Sequence, residues 1–194
     1  MATRRQMATD AQALAGSQPD FRALVAGGFF SANPFDHSVP RSIRTNNPGA
    51  LNITPWQRTR PGFAGETEQD GSANHNVTTI YEAPEYGVGS WFFLLSDRYD
   101  FKKLGEFSLV QLAQRYAGQD SGNAVRDYID GWTALSHGAL TASTVISLDS
   151  DLQLLTLAKA MFAFEAGRTS PLLDDQILFG IQNERNGTVS TLVS

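Results

Sequence analysis

One segment, LQLLTLAKAMFAFEAGR at residues 152–168, restricts the fold more than any other. Leu154, Ala158, Met161 and Glu165 are spaced four, three and four residues apart, so a helix places all of them on one stripe. The stripe is apolar except at its end, where Glu165 stands. Gly167 follows and reads as the residue that stops the helix, which puts Glu165 in the last turn. Partial burial disfavours a carboxylate at such a position, and so does the negative end of the helix dipole. A carboxyl group in that setting suits a general acid, the group a glycosidase uses to protonate a leaving oxygen. The plainer alternative is a solvated glutamate, or one paired with Arg168.

Composition narrows the classes. The 194 residues suit one domain, or one domain with an arm. A hydrophobic share of 41%, with twelve Phe and three Trp, supplies a core. A net charge of −5 argues against a nucleic-acid partner, which would call for a basic face. Cysteine is absent, so disulfides, thiolate metal sites and a cysteine nucleophile are excluded. The histidines, His37, His75 and His137, stand far apart without ligand spacing, so neither a metal site nor a cofactor is expected. Arg4 and Arg5 are followed by no apolar run, so no signal peptide is expected, and no stretch is long enough for membrane insertion.

Along the chain, residues 1–40 read as an arm, with Phe21, Leu24 and Val25 at helical spacing until Gly27 and Gly28 break it. Residues 41–194 read as one domain. Its only expected sheet is a hairpin of two short strands, residues 50–53 and 77–81, around a polar loop. Helices follow. Pro84 opens one, with Val88, Trp91, Phe92, Leu95 and Tyr99 on its apolar face. Ser108 and Gln111 form a capping box for a second, and Val125, Tyr128, Ile129 and Trp132 mark a third. Ser147 or Asp149 starts a fourth, which Gly167 stops, and Ser170-Pro171 opens a fifth containing Leu173, Ile177 and Ile181. The class is α+β, mostly α.

Further side chains can carry chemistry. In RSIRTNNPG, at residues 41–49, Asn46 and Asn47 place paired amides on a constrained turn, where they can hold a sugar acetamido group or simply cap the turn. Glu66, Glu68 and Asp70 crowd the hairpin loop, each a possible second carboxylate or plain solvated charge. Tyr116, Gln119, Asp120 and Asn123 form a polar junction between two helices, suited to lining a saccharide groove or to helix capping.

RSIRTNNPGALNI, then Trp56, then TTIYEAPEYGVGSWFFLL resemble a family of phage-borne and bacterial proteins. Members carry an R-x-N-N-P-G-N-[IL] turn, a hairpin of Trp-Gly type and F-x-x-F-D-[ST]-P-E-x-G before a helix. They continue with a W-A-P-like helix end and close on a helix ending E-N-G. The counterparts are residues 44–53, Trp56, residues 81–87, residues 115–118 and Glu165-Ala166-Gly167, and the resemblance covers roughly residues 41–182. That family is similar in turn to the lysozyme-like superfamily, including lytic transglycosylases and flagellar-type glucosaminidases. There the catalytic helix comes first, whereas here the NNPG turn comes first and the E-x-G helix last, the order of a circular permutation.

The resemblance implies a lysozyme-like helical domain with one small β-hairpin in circularly permuted order. It implies a muramidase or lytic transglycosylase that cleaves peptidoglycan glycan strands with Glu165 as the catalytic residue. Asn46, Asn47, Glu66, Tyr81, Tyr116, Gln119 and Asn123 would bind the substrate, and the permutation would bring Asn46 and Asn47 close to Glu165. A virion, a lysis system or a secretion machine would deliver the protein to the cell wall, with residues 1–40 as the contact to that apparatus. Ala50, Gly118 and Ala166 depart from the family pattern. These departures leave the bond cleaved open. They also leave open a non-catalytic virion or wall-binding protein of the same fold, and a secreted antibacterial effector with the same activity.

Overall fold

The computed structural model describes residues 34, 35, 37, 39–69, 76–117, 122–167 and 169–187. Most of the expected arm, together with Asp70, His75, Gln119, Asp120 and Arg168, lies outside the described residues. In chain order the elements are α1 (Arg41–Arg44), β1 (Phe63–Glu66), β2 (Thr79–Tyr81), α2 (Pro84–Phe93), β3 (Glu106–Ser108), α3 (Leu109–Ala117), α4 (Gly122–Leu135), β4 (Val145–Ser147), α5 (Asp151–Ala166) and α6 (Asp174–Asn186). The expected class, α+β and mostly α, is observed. The described residues divide into two compact units, one formed by Leu94–Ser170 and the other by those of Pro19–Phe93 and Pro171–Ser194.

The second of these contains the NNPG turn. Its hairpin pairs β1 with β2 antiparallel, Phe63 opposite Tyr81 and Glu66 opposite Thr79, with a bulge between Phe63 and Gly65. The first strand is therefore not residues 50–53, which contribute a single bridge, Asn52 to Thr78. The reason is local: Ala50 has φ 48°, in the left-handed region, and an extended strand cannot run through it. Helices α2 and α6 pack along each other in this unit. α6 begins at Asp174 rather than at Pro171, because the Gln176 side chain accepts the Leu173 N–H at 3.0 Å and fixes the first turn there.

The apolar face read from Val88 to Tyr99 is not one α-helix. α2 gives way to a π-helical turn at Leu94–Arg98, in which the Tyr99 N–H reaches back five residues to the Leu94 carbonyl at 2.9 Å. The boundary between the two units falls at the same step.

The unit Leu94–Ser170 packs α3, α4 and α5 with a second hairpin, β3 against β4, in which Phe107 lies opposite Ile146. Phe107 and Ile146 are buried, and Phe107 stacks on Phe101 at 4.4 Å between ring centroids. This hairpin corrects the expectation of one small sheet. Each strand is only three residues long, too short to display the period-two alternation that marks a strand in sequence. The capping box of α3 is as read: Ser108 N–H donates to Gln111 Oε1 at 2.7 Å and Gln111 N–H donates to Ser108 Oγ at 3.1 Å. For α5 the cap is neither Ser147 nor Asp149 but Ser150, whose hydroxyl accepts the Gln153 N–H. Ser147 is instead the last residue of β4. The five residues from Ala160 to Phe164 are all buried, so the C-terminal half of α5 is the centre of this unit's core rather than an amphipathic surface helix.

Candidate functional site

Glu165 stands in the last turn of α5, directly after that buried run, and is itself half-buried. The helix stops where the sequence places the stop. Gly167 is left-handed, φ 65°, and its N–H closes on the carbonyls of Ala163 and Phe164. A Cβ at Gly167 would meet nothing within 4 Å, so the glycine is required by its backbone conformation and not by crowding.

A chain of aromatic rings leads to this turn. Tyr116 on α3 meets Tyr128 on α4 edge-on at 5.3 Å and Trp132 at 6.0 Å, and Tyr128 in turn meets Phe164 at 5.4 Å. Tyr116 is half-buried, whereas Tyr128 and Trp132 are buried. The structure thus gathers Glu165 and Tyr116 in one unit, linked by rings that the sequence marks only as the apolar face of a helix. Edge-on aromatic pairs contribute about 0.5–1.5 kcal/mol beyond their burial, so this cluster fixes α3 and α4 against the end of α5. Asn123 lies in the first turn of α4, and Gln119 is outside the described residues.

Asn46, Asn47, Glu66 and Tyr81 belong to the other unit. Both asparagines are buried, at 4% and 0% exposure, and their amides are taken up by backbone. Asn46 Nδ2 donates to the Tyr81 carbonyl at 3.0 Å. Asn47 Nδ2 donates to the carbonyls of Leu51 and Thr79, both at 2.9 Å, while its Oδ1 accepts the Leu51 N–H at 3.0 Å. Of the two roles the sequence left open, the contacts support the turn. The amides join the NNPG segment to β2 and do not project toward a sugar. Asn46 also has φ 52°, a conformation that asparagine adopts more readily than other non-glycine residues. Gly87 is part of the same junction. A Cβ there would lie 2.0 Å from the Asn46 carbonyl oxygen, so α2 can approach the turn only through a glycine.

Glu66 ends β1 on the surface, where its Oε1 accepts from Arg58 Nη2 at 2.9 Å and Nε at 3.1 Å. Glu68 accepts from the His37 ring at 2.8 Å, also in solvent. Tyr81, expected among the substrate-binding residues, is fully buried and presents no surface to a polymer. Burial pushes its phenol up to about 12, against the opposing influence of the Ser90 hydroxyl, the Arg60 cation and the Thr79 hydroxyl. Arg60 forms an ion pair with Glu184 of α6 that sequence reading missed; 124 positions separate the two, and no local pattern links them.

Among the described residues no group of three or more His, Asp or Glu side chains could hold a metal ion, and no helix is long and apolar enough to cross a membrane. No protein-family model matches the chain, and no curated protein matches it. The resemblance to the lysozyme-like enzymes accordingly rests on the motifs themselves.

Proposed function

We propose that this chain cleaves the glycan strands of peptidoglycan, as a muramidase or lytic transglycosylase of circularly permuted lysozyme-like fold, with Glu165 as its proton-donating carboxyl. The observation that carries the reading is the setting of Glu165: a half-buried carboxyl in the last turn of a core helix, one residue after Phe164 and two before the left-handed Gly167. Such a site excludes part of the solvent and lies at the C-terminal end of the helix, the kind of setting that suits the general acid of glycosidic cleavage. Peptidoglycan would be the partner, no cofactor would take part, and a virion, lysis system or secretion machine would carry the protein to the wall.

A second reading is a virion or wall-binding protein of the same fold that grips peptidoglycan without cutting it; the observation on its side is that Asn46 and Asn47, expected to shape the site around the acid, are engaged by backbone. Zymography on wall-loaded gels separates the two. Under the enzyme reading the wild type clears the gel, and Glu165→Gln lowers the rate at least about a hundredfold while folding normally. Equal clearing by both proteins would remove Glu165 from the mechanism, and wall binding without clearing by either would leave the second reading. The masses of released muropeptides then tell hydrolysis from transglycosylation, since only the latter leaves anhydro ends.

A further inference from the structure

Among the described residues the sheet of β3 and β4 has two strands, so each strand has an outer edge. Phe107 stands opposite Ile146, and the bonds from Leu109 N–H to the Thr144 carbonyl and from Leu148 N–H to the Gly105 carbonyl flank that pair, both at 3.0 Å. Antiparallel bonding alternates along the strands. The main-chain groups of Ser108 on β3, and of Val145 and Ser147 on β4, therefore point away from the partner strand. A row of outward N–H and C=O groups is a template on which another strand can pair.

Glutamine side chains occupy both edges. Ser108, the last residue of β3, donates its N–H to Gln111 Oε1 at 2.7 Å. Ser147, the last residue of β4, donates its N–H to Gln153 Oε1 at 2.8 Å, and Gln153 Nε2 donates to the Val145 carbonyl at 3.4 Å. Each glutamine is the third residue of the helix that follows its strand. A glutamine there ordinarily turns back to the N–H of its own N-cap. Gln111 does so, because its N-cap is the strand's end. The Ser150 N–H goes instead to the Ser147 carbonyl at 3.3 Å, and Gln153 reaches past it to the strand. Its amide offers β4 one donor and one acceptor astride Ile146, as a residue of an added parallel strand would. Val145 on this strand is 45% exposed, and Leu152, beside Gln153, is 74% exposed.

We propose that Gln153, with Gln111 at the opposite edge, is a guard that keeps β4 from pairing with a second copy of this chain. The edge is self-complementary. Under a two-fold axis at Ile146, the Ser147 N–H of each copy meets the Val145 carbonyl of the other, and these are the two groups that Gln153 occupies. The exposed apolar side chains of Val145 and Leu152 would be covered in the same step. The proposal is independent of cell-wall cleavage and is read by self-association alone.

The test uses the full chain. Gln153→Ala frees both groups, and sedimentation over a concentration series should show self-association roughly tenfold or more above the wild type, the effect of two added backbone hydrogen bonds. Adding Val145→Lys places a charge on that edge and should return association to the wild-type level. A folded Gln153→Ala variant that associates no more than the wild type overturns the proposal, and so does association that Val145→Lys leaves unchanged. Should Gln153→Ala not fold, amide hydrogen exchange of the wild type decides: the Ser147 N–H should exchange far more slowly than an open-chain amide, and exchange at the open-chain rate would show that Gln153 does not hold the edge.

Discussion

Asn47 donates its side-chain amide to the backbone carbonyl of Thr79, 32 positions away, at 2.9 Å, and so ties the NNPG turn to the second strand of the hairpin. With Leu51 bonded to both ends of the same amide, Asn47 satisfies two buried carbonyls and one buried N–H. Asn47→Ala would take this partner from the buried Leu51 N–H and Thr79 carbonyl, while the Leu51 carbonyl keeps the Thr79 N–H at 3.1 Å. It should destabilise the protein by about 2–4 kcal/mol in urea titration. A loss under about 1 kcal/mol would show that the amide is dispensable to the fold and free for a ligand.

Ala50 follows in the same turn with φ 48°, where a Cβ is strained, and it stands where the motif it resembles carries asparagine. Ala50→Asn should stabilise the protein by about 1 kcal/mol by relieving that strain. The midpoint of thermal unfolding checks it: an unchanged or lower midpoint would mean that the turn does not hold this conformation in solution.

Two glutamates in ion pairs should behave oppositely. Glu66 pairs with Arg58 at 37% and 52% side-chain exposure, where water and salt screen the attraction. Glu184 pairs with Arg60 at 11% and 13%. Glu66→Ala should cost less than about 1 kcal/mol, whereas Glu184→Ala should cost about 3 kcal/mol or more, because it leaves the Arg60 cation buried and alone. Chemical denaturation of both variants at low and high salt measures the contrast. Because Glu66→Ala keeps the fold, its wall-clearing rate is also a clean test of a substrate role for that carboxylate.

Alkaline pH should unfold the protein through its tyrosines. Burial raises Tyr81 to about 12, and burial likewise raises Tyr99 to about 12 against the pull of Arg115. An unfolded tyrosine titrates near 10. Between these values the unfolded chain has released the proton and the folded chain still holds it, so stability falls as pH rises. It should be constant with respect to these groups below about pH 10 and decline up to about pH 12, with Tyr81 contributing roughly 2–3 kcal/mol. Phenolate absorbance of the wild type and of Tyr81→Phe and Tyr99→Phe, followed beside denaturation curves, checks this, and ionisation of Tyr81 or Tyr99 near pH 10 in the folded protein would contradict it.

How far the sequence reaches is clearest in α5 and in the NNPG turn. The helix that carries Glu165 in its last turn is legible because its causes are neighbours in the chain: apolar residues at helical spacing, and a glycine that turns left-handed without strain at the stop. The Ser108–Gln111 capping box was legible for the same reason, since its partners are three residues apart. Short-range rules failed where too few residues spoke, as in the three-residue strands β3 and β4, or where Ala50 took a conformation its type disfavours.

The asparagine pair marks the limit. Sequence alone identified Asn46 and Asn47 as amides on a constrained turn, but an amide can face a ligand or a carbonyl, and only the tertiary fold decides which comes within reach. The fold brought up the carbonyls of Thr79 and Tyr81. The same holds for Arg60 with Glu184. Spacing along the chain determines which residues share a helix face, because the helix repeat is set by the backbone. Which distant groups meet in a low-dielectric interior is determined by packing, and there hydrogen bonds and charges acquire the energies that give them a role.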